Sequence, residues 1–420
     1  MSFRVLKFGL LGLTVIIIAA IAPFLPSKWM TTLMYAQLFA VYAMGWDILS
    51  GMTGQISFGH IFFVAVSGYT TGLLNLYLKW PIWATVPTGV VMAVLAGLLF
   101  SVPALRLRGP YFSLVTLILP LAAARLVIIL ADWTGGELGK FGVTPLCQDS
   151  LLNALSGLLS RFPISIEAFR LYQYCNYYFF WVLMACVGGV LVWLSTSRIG
   201  KILEAIRENE DAVEAAGINV AKYKIFAFAI SASVVGLGGA FSVHTNEAVF
   251  FNSLLSLTSS IEMIVASVIG GMGTIVGALW GGFLVRGGEQ VIREVAHSPL
   301  TLEMLCLSVI ALILGGIGSY SGAKIARILL PTKWGKISAV IALGGAGIYL
   351  GVISGLWSLN VVRGLLGIDF SNVEIDLSFL ERWATFIFFA LLLVLLFFAR
   401  QGLLPLLLGL VKKTSPRPFP

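Results

Sequence analysis

Apolar runs about as long as a bilayer is thick recur along this chain, at roughly 8–25, 33–50, 56–78, 82–101, 111–130, 177–195 and 224–243. Crossing ~30 Å of hydrocarbon at 1.5 Å per helical residue takes about 20 residues, so each run is close to the length a membrane span needs. Charged residues are only 11% of the chain, against about 25% in soluble domains, which leaves lipid as the main solvent. The expected fold is all-α, a polytopic transmembrane helical bundle of about ten spans with broken or re-entrant segments, and not the two or three soluble domains that 420 residues would otherwise suggest.

Arg4 and Lys7 precede the first run in the manner of a signal peptide, but the run continues into Pro23–Phe24–Leu25–Pro26 without a small-residue cleavage site. It reads as a retained first helix. Counting crossings from a cytoplasmic N-terminus puts Arg106, Arg108 and the charged segment 197–224 inside and 131–176 outside, in agreement with the positive-inside rule. The stretch from Ile261 to Val285 is divided by Gly270, Gly271 and Gly273 into pieces of nine and twelve residues, the first reaching only about 13 Å. A single crossing there would leave Lys324, Arg327, Lys333, Lys336, Lys412, Lys413 and Arg417 outside, so a re-entrant or hairpin segment is expected, with one Gly-kinked helix as the alternative. Spans at about 303–319, 337–358 and 382–399 complete the count, with Asp369, Glu374 and Asp376 outside and the C-terminus inside. The expected organisation is a core over 1–290, additional membrane segments over 291–380, and a last span with a basic tail over 381–420.

The net charge of +8 comes from Lys and Arg in short segments between apolar runs, where they orient helices, so no nucleic-acid partner is expected. Four cysteines form no CxxC pair and the histidines His60, His244 and His297 lie far apart, which gives no local metal cluster. Cys147 and Cys175 fall in one long outer loop, where they can pair, whereas Cys186 and Cys306 read as buried thiols. An intramembrane enzyme lacks its motifs, since neither GxSxG nor HExxH occurs, and no catalytic residue is assigned. Gly135 to Lys140 has three residues between its glycines where a P-loop has four, so ATP and Mg belong on a partner and the chain itself is expected to bind no cofactor.

Two Gly-rich breaks interrupt the apolar pattern: Gly51-Met-Thr-Gly-Gln-Ile-Ser-Phe-Gly-His60 and Gly270-Gly-Met-Gly-Thr-Ile-Val-Gly277. Unwound backbone at membrane depth survives only inside protein or beside water, and paired breaks in two halves of a chain point to a solute site near the midplane and to an inverted internal repeat. The candidate pathway set is Asp47, Gly51, Gly54, Gln55, Ser57, Gly59, His60, Glu262, Gly270, Gly271 and Gly273. Close helix packing accounts for the glycines equally well. His60 reads equally as a structural hydrogen-bonding residue, Asp47 as a local cap, and Glu262 as a charge favouring the start of a short helix after Ser259 and Ser260. Arg125 is expected to snorkel toward Asp132.

Between Arg198 and Lys224 ten of 27 residues are charged, five of each sign. Ile199, Ile202, Leu203 and Ile206 form an apolar stripe on a helix that Gly217 stops, and the mixed charge favours a groove on another protein over an anionic lipid surface.

GMTGQISFGHIFFVAVSGYTTGL, LRGPYFSLVTLIL, TGGELG, SRIGKILEAIRENEDAVEAAGINVAKYKIFAFAISA and SIEMIVASVIGGMGTIVGALWGG together resemble, in order over roughly 30–290, the branched-chain amino acid ABC transporter permeases of the LivM type. The resemblance implies import of leucine, isoleucine or valine across a prokaryotic inner membrane. It implies as partners a second permease subunit, two cytoplasmic ABC ATPases and a periplasmic or extracellular solute-binding protein. It also implies that 198–222 is the coupling loop, with Ile202, Ile206, Arg207, Glu208, Asp211, Glu214, Ala215, Ala216 and Gly217 as the ATPase-facing candidates. The chain departs from the pattern at Pro120-Leu-Ala-Ala-Ala124, at Glu137 and Leu138, and in about 80 inserted residues before Phe397. Urea or short-amide ABC permeases share much of the pattern, and an ion-coupled secondary transporter is the rival from another class, set apart by having no ATPase to dock.

Overall fold

A computed structural model describes residues 26–148 and 168–297, apart from 105, 106 and 108, together with positions 9, 12, 15, 16, 18–20, 22, 300, 301, 374, 375 and 390. Two compact units are present, Met1–Gly288 with Leu392–Leu408, and Glu289–Leu391 with Gly409–Pro420. In the second, the described pairing is a short antiparallel one between Leu300–Thr301 and Glu374–Ile375.

The first unit is built from helices α1 (Ser27–Trp46), α2 (His60–Leu78), α3 (Ile82–Ala104), α4 (Pro110–Ile129), α5 (Ala131–Thr134), α6 (Ala168–Thr196), α7 (Arg198–Glu208), α8 (Glu210–Ala215), α9 (Val220–Asn246), α10 (Phe251–Leu254), α11 (Leu257–Gly271) and α12 (Ile275–His297). Strands β1 (Lys140–Phe141) and β2 (Ala248–Val249) pair antiparallel at one end. Among the described residues six helical stretches are long and apolar enough to cross a membrane: 60–78, 82–101, 110–129, 169–196, 220–246 and 251–271. The chain is a multi-pass membrane protein. Most of the expected span at 8–25, the spans at 303–319, 337–358 and 382–399, and the basic residues Arg106, Arg108, Lys324 to Lys336 and Lys412 to Arg417 lie outside the described residues.

Helix α9 stands at the centre, against α1, α2 and α3. Small residues allow this. A side chain at Gly238 would come within 2.5 Å of the Tyr42 ring, and one at Gly239 within 2.5 Å of the Val64 carbonyl, so the helices touch almost backbone to backbone. At its C-terminal end Asn246 accepts a hydrogen bond from Tyr35 (2.7 Å), and the Glu247 carbonyl takes the amides of Gly142 and Val143 (both 3.1 Å).

Helix α6 begins at Ala168, nine residues before the expected start, because Arg170, Gln173 and Asn176 dilute the apolar run without breaking the helix. Cys175 therefore lies on a helix and not in the outer loop. It is disulfide-bonded to the buried Cys147 across a separation of 28 residues. Closing such a loop restrains the unfolded chain by about 3.6 kcal/mol on the loop-entropy relation. Protein taken from an oxidising exterior should yield the linked peptides by mass spectrometry and unfold at lower temperature after Cys147→Ser; two free thiols would contradict an outside position for 131–148.

The segment from 257 to 297 is a hairpin. Gly270 abuts the carbonyl of Gly277, and Gly281 abuts that of Ala266, so α11 and α12 run antiparallel about a turn at 272–274. The single kinked crossing is excluded. Helix α11 is 15 residues long, about 22 Å rather than 13 Å, because Leu257-Thr-Ser-Ser260 joins the helix ahead of the apolar run.

Candidate functional site

The first break begins where α1 widens into a π-turn at Asp47–Gly51. A non-helical run from Gly54 to Gly59 follows before α2 starts at His60. Buried backbone groups need partners, and here side chains supply them. Trp46 Nε1 donates to the Ser57 carbonyl (2.8 Å), Ser50 Oγ accepts from Ser57 N–H (3.2 Å), and Thr116 Oγ1 accepts from Phe58 N–H (3.1 Å). Ser231 Oγ donates to the Gly45 carbonyl (2.6 Å) and lies 2.8 Å from His60 Nε2. With the serine proton engaged, His60 Nε2 is the donor, so fully buried His60 ties the end of the break to α9.

The second break is the hairpin turn. Gly271 (φ 120°) and Gly273 (φ 81°) hold conformations that side chains resist. Glu262 is buried and faces Arg286 of the returning helix at 2.9 Å, and that guanidinium lies 4.6 Å from the Phe39 ring centre. The expectation that Glu262 favours a helix start is corrected: α11 starts five residues earlier, and the carboxylate neutralises a cation within the hairpin.

The two breaks meet. Asp47 Oδ1, wholly buried, accepts from Ser267 Oγ (2.5 Å) and from the Gly273 amide (2.8 Å). A side chain at Gly51 would come within 2.7 Å of that amide. Arg207 of α7 reaches the same point, donating to the Gly51 carbonyl (2.7 Å) and to the Met272 carbonyl (3.4 Å). A helix of the charged segment therefore touches both breaks. Their two turns lie side by side, bridged by Asp47 and Arg207.

Three side-chain caps shape the charged segment: Ser197 accepts from Gly200 N–H, Asn209 from Ala212 N–H and Asn219 from Lys222 N–H. Asn209, extended at φ −157°, divides the expected single helix into α7 and α8. Buried Lys224 pairs with Glu210 (2.6 Å), holding α8 against α9. Within the apolar stripe Leu203 and Ile206 are buried against the chain's own helices, while Ile199 and Ile202 are half-buried. The other candidates, Arg207, Glu208, Asp211, Glu214, Ala215, Ala216 and Gly217, are all exposed.

Beside the first break a groove of about 630 Å³ runs between 54–58 and the start of α4, walled by Ile56, Phe58, Phe112, Leu114 and Leu117. Gln55 also lines it and presents a buried Oε1 that accepts no hydrogen bond within the described chain. Arg125 is exposed on α4 and forms no ion pair with Asp132, whose carbonyl accepts instead from Lys140 (2.9 Å). Among the described residues no three His, Cys, Asp or Glu side chains gather in a form that could hold a metal. Ser231, Ser267, Thr116 and Arg286 were not singled out from the sequence. Of these only Arg286 carried a signal there, as a cation placed to fold back on Glu262 once a turn at 272–274 is drawn.

A family model described as branched-chain amino acid transport system, permease component, matches residues 29–315. The high-affinity branched-chain amino acid transport system permease protein LivM of Escherichia coli K12 is 26% identical over 295 residues, 68% of each chain. LivM of Salmonella typhimurium LT2 is 25% identical over 295 residues, 69% of each chain. The probable branched-chain amino acid transport permease protein LivH of Methanocaldococcus jannaschii is 24% identical over 263 residues, 62% of this chain and 78% of that protein. No solved structure matches.

Proposed function

The chain belongs to the branched-chain amino acid transport permease family, and from that premise we propose that it forms part of the membrane pathway of an ATP-driven importer for hydrophobic amino acids, with α7 and α8 as its contact for a cytoplasmic ATPase. The observation that carries this reading is the triple junction of Arg207, the Gly51 carbonyl and the Met272 carbonyl. It joins the one segment built to meet water to the two breaks in the helical pattern. The breaks act as the inner gate of the pathway, with Asp47, His60 and Glu262 holding its walls. A second permease subunit closes the groove beside Gln55, ATP and Mg reside on the ATPases, and a soluble binding protein delivers the solute outside.

The groove supports leucine, isoleucine or valine over urea. Its aliphatic and aromatic walls suit a branched side chain, and the Gln55 acceptor suits an ammonium, whereas urea would need polar partners on every side. The exposed turn supports the coupling reading: a side chain at Gly217 meets no atom within 4 Å of its own chain, although φ 81° resists one. In liposomes containing the full partner set, Glu214→Lys and Gly217→Trp are expected to cut leucine uptake at least about ten-fold, with the permease pair intact. Normal uptake by both, or import of urea in preference to leucine, would refute the reading.

A further inference from the structure

We propose that Arg207 is a positioning residue that transmits movement of α7 to the paired breaks, and not a contact for the ATPase. This deepens the coupling reading above and rests on it. Arg207 is exposed at the edge of the unit, but one guanidinium nitrogen reaches in and is shared between a carbonyl of the first break and a carbonyl of the second (Gly51, 2.7 Å; Met272, 3.4 Å). Two glycines make room for it. A side chain at Gly273 would strike the guanidinium itself, and one at Gly54 would come within 3.3 Å of Arg207 Cγ. Each break thus carries a glycine against the same arginine, which gives those glycines a reason beyond helix packing.

The chemistry suits a latch that opens. Carbonyls at the ends of helical segments lack intrahelical donors, and a charged donor satisfies two of them at once. Buried Asp47 joins the breaks independently, through the Gly273 amide, so the breaks stay together when Arg207 moves. Helix α7 is itself held to the unit by Leu203 and Ile206, which makes it a rigid carrier for the arginine. A shift of α7 then changes both breaks together. Lysine could follow only in part, because a point-like ammonium lacks the planar fork of the guanidinium.

The test uses the complete complex in liposomes and measures leucine taken up per ATP hydrolysed. With Arg207→Ala the ATPases are expected to co-purify and to hydrolyse ATP, while uptake per ATP falls at least about ten-fold; Arg207→Lys should fall between the two. A general loss of structure would lower uptake and hydrolysis together and leave the ratio unchanged. An unchanged ratio in Arg207→Ala overturns the proposal, as does loss of ATPase co-purification, which would make Arg207 a docking residue. If Arg207→Ala does not assemble, the ratio in Arg207→Lys decides in the same way. Failure of the unmodified complex to import leucine would instead refute the function on which the proposal rests.

Discussion

Gly270→Leu is expected to abolish leucine uptake and to leave little folded subunit in the membrane. At this position the first atom of any side chain lands on the Gly277 carbonyl, and the matching contact of Gly281 with Ala266 farther along the hairpin prevents the helices from swinging apart. Side chains can repack around an added methylene for about 1–3 kcal/mol, but a main-chain carbonyl has nowhere to go, so the cost here is at the top of that range or above it. Gly54→Leu is the control. Its nearest neighbour is a flexible arginine stem, so only its left-handed backbone (φ 77°) opposes a side chain, at a cost of about 1–3 kcal/mol, and it should assemble in reduced amount and lose transport. Size-exclusion profiles of the purified subunit, read beside uptake, separate the two outcomes. Gly270→Leu protein that is monodisperse, abundant and active would mean that the hairpin is not closed as described.

The second large effect concerns Glu262 and Arg286. Removing either partner breaks a partly buried ion pair, which costs about 3–5 kcal/mol when the pair is well buried and less here, because the arginine side chain is 32% exposed against 6% for the glutamate and keeps its contact with Phe39. Glu262→Ala and Arg286→Ala should each depress the thermal midpoint in detergent. Replacing both by leucine should recover most of the loss, since two apolar residues leave no charge behind. A double mutant as unstable as the sum of the singles would show that the two side chains are not coupled in the folded protein.

The sequence made the broad architecture legible because lipid imposes a simple rule: about 20 apolar residues per crossing. It was also enough to mark both breaks, since a cluster of glycines and polar residues stands out against an otherwise continuous apolar run. It misplaced the start of α6, where a helix continued through Arg170, Gln173 and Asn176, and it misjudged the first arm of the hairpin, where Leu257-Thr-Ser-Ser260 carries the helix before the apolar run begins. Hydropathy records which solvent a residue prefers, not where a helix ends. The partners of Asp47 and His60 were illegible for a different reason. Ser267 and Ser231 lie 220 and 171 residues away, and a serine in a small-residue run carries no local mark of what it bonds. Similarly, the stripe of Leu203 and Ile206 looks the same on a helix that docks outward and on one that packs inward.

If the helices were to tilt about the close contacts of Gly238 and Gly239, α9 would be an unequal lever. The arm from Gly238 down to Val220 is about 27 Å long, and the arm up to Asn246 about 12 Å. A rigid tilt about that fulcrum moves the end held by the Lys224–Glu210 pair roughly twice as far as the end joined to Tyr35, and in the opposite direction. A displacement of 1 Å beside β2 would thus arrive at α8 as about 2 Å.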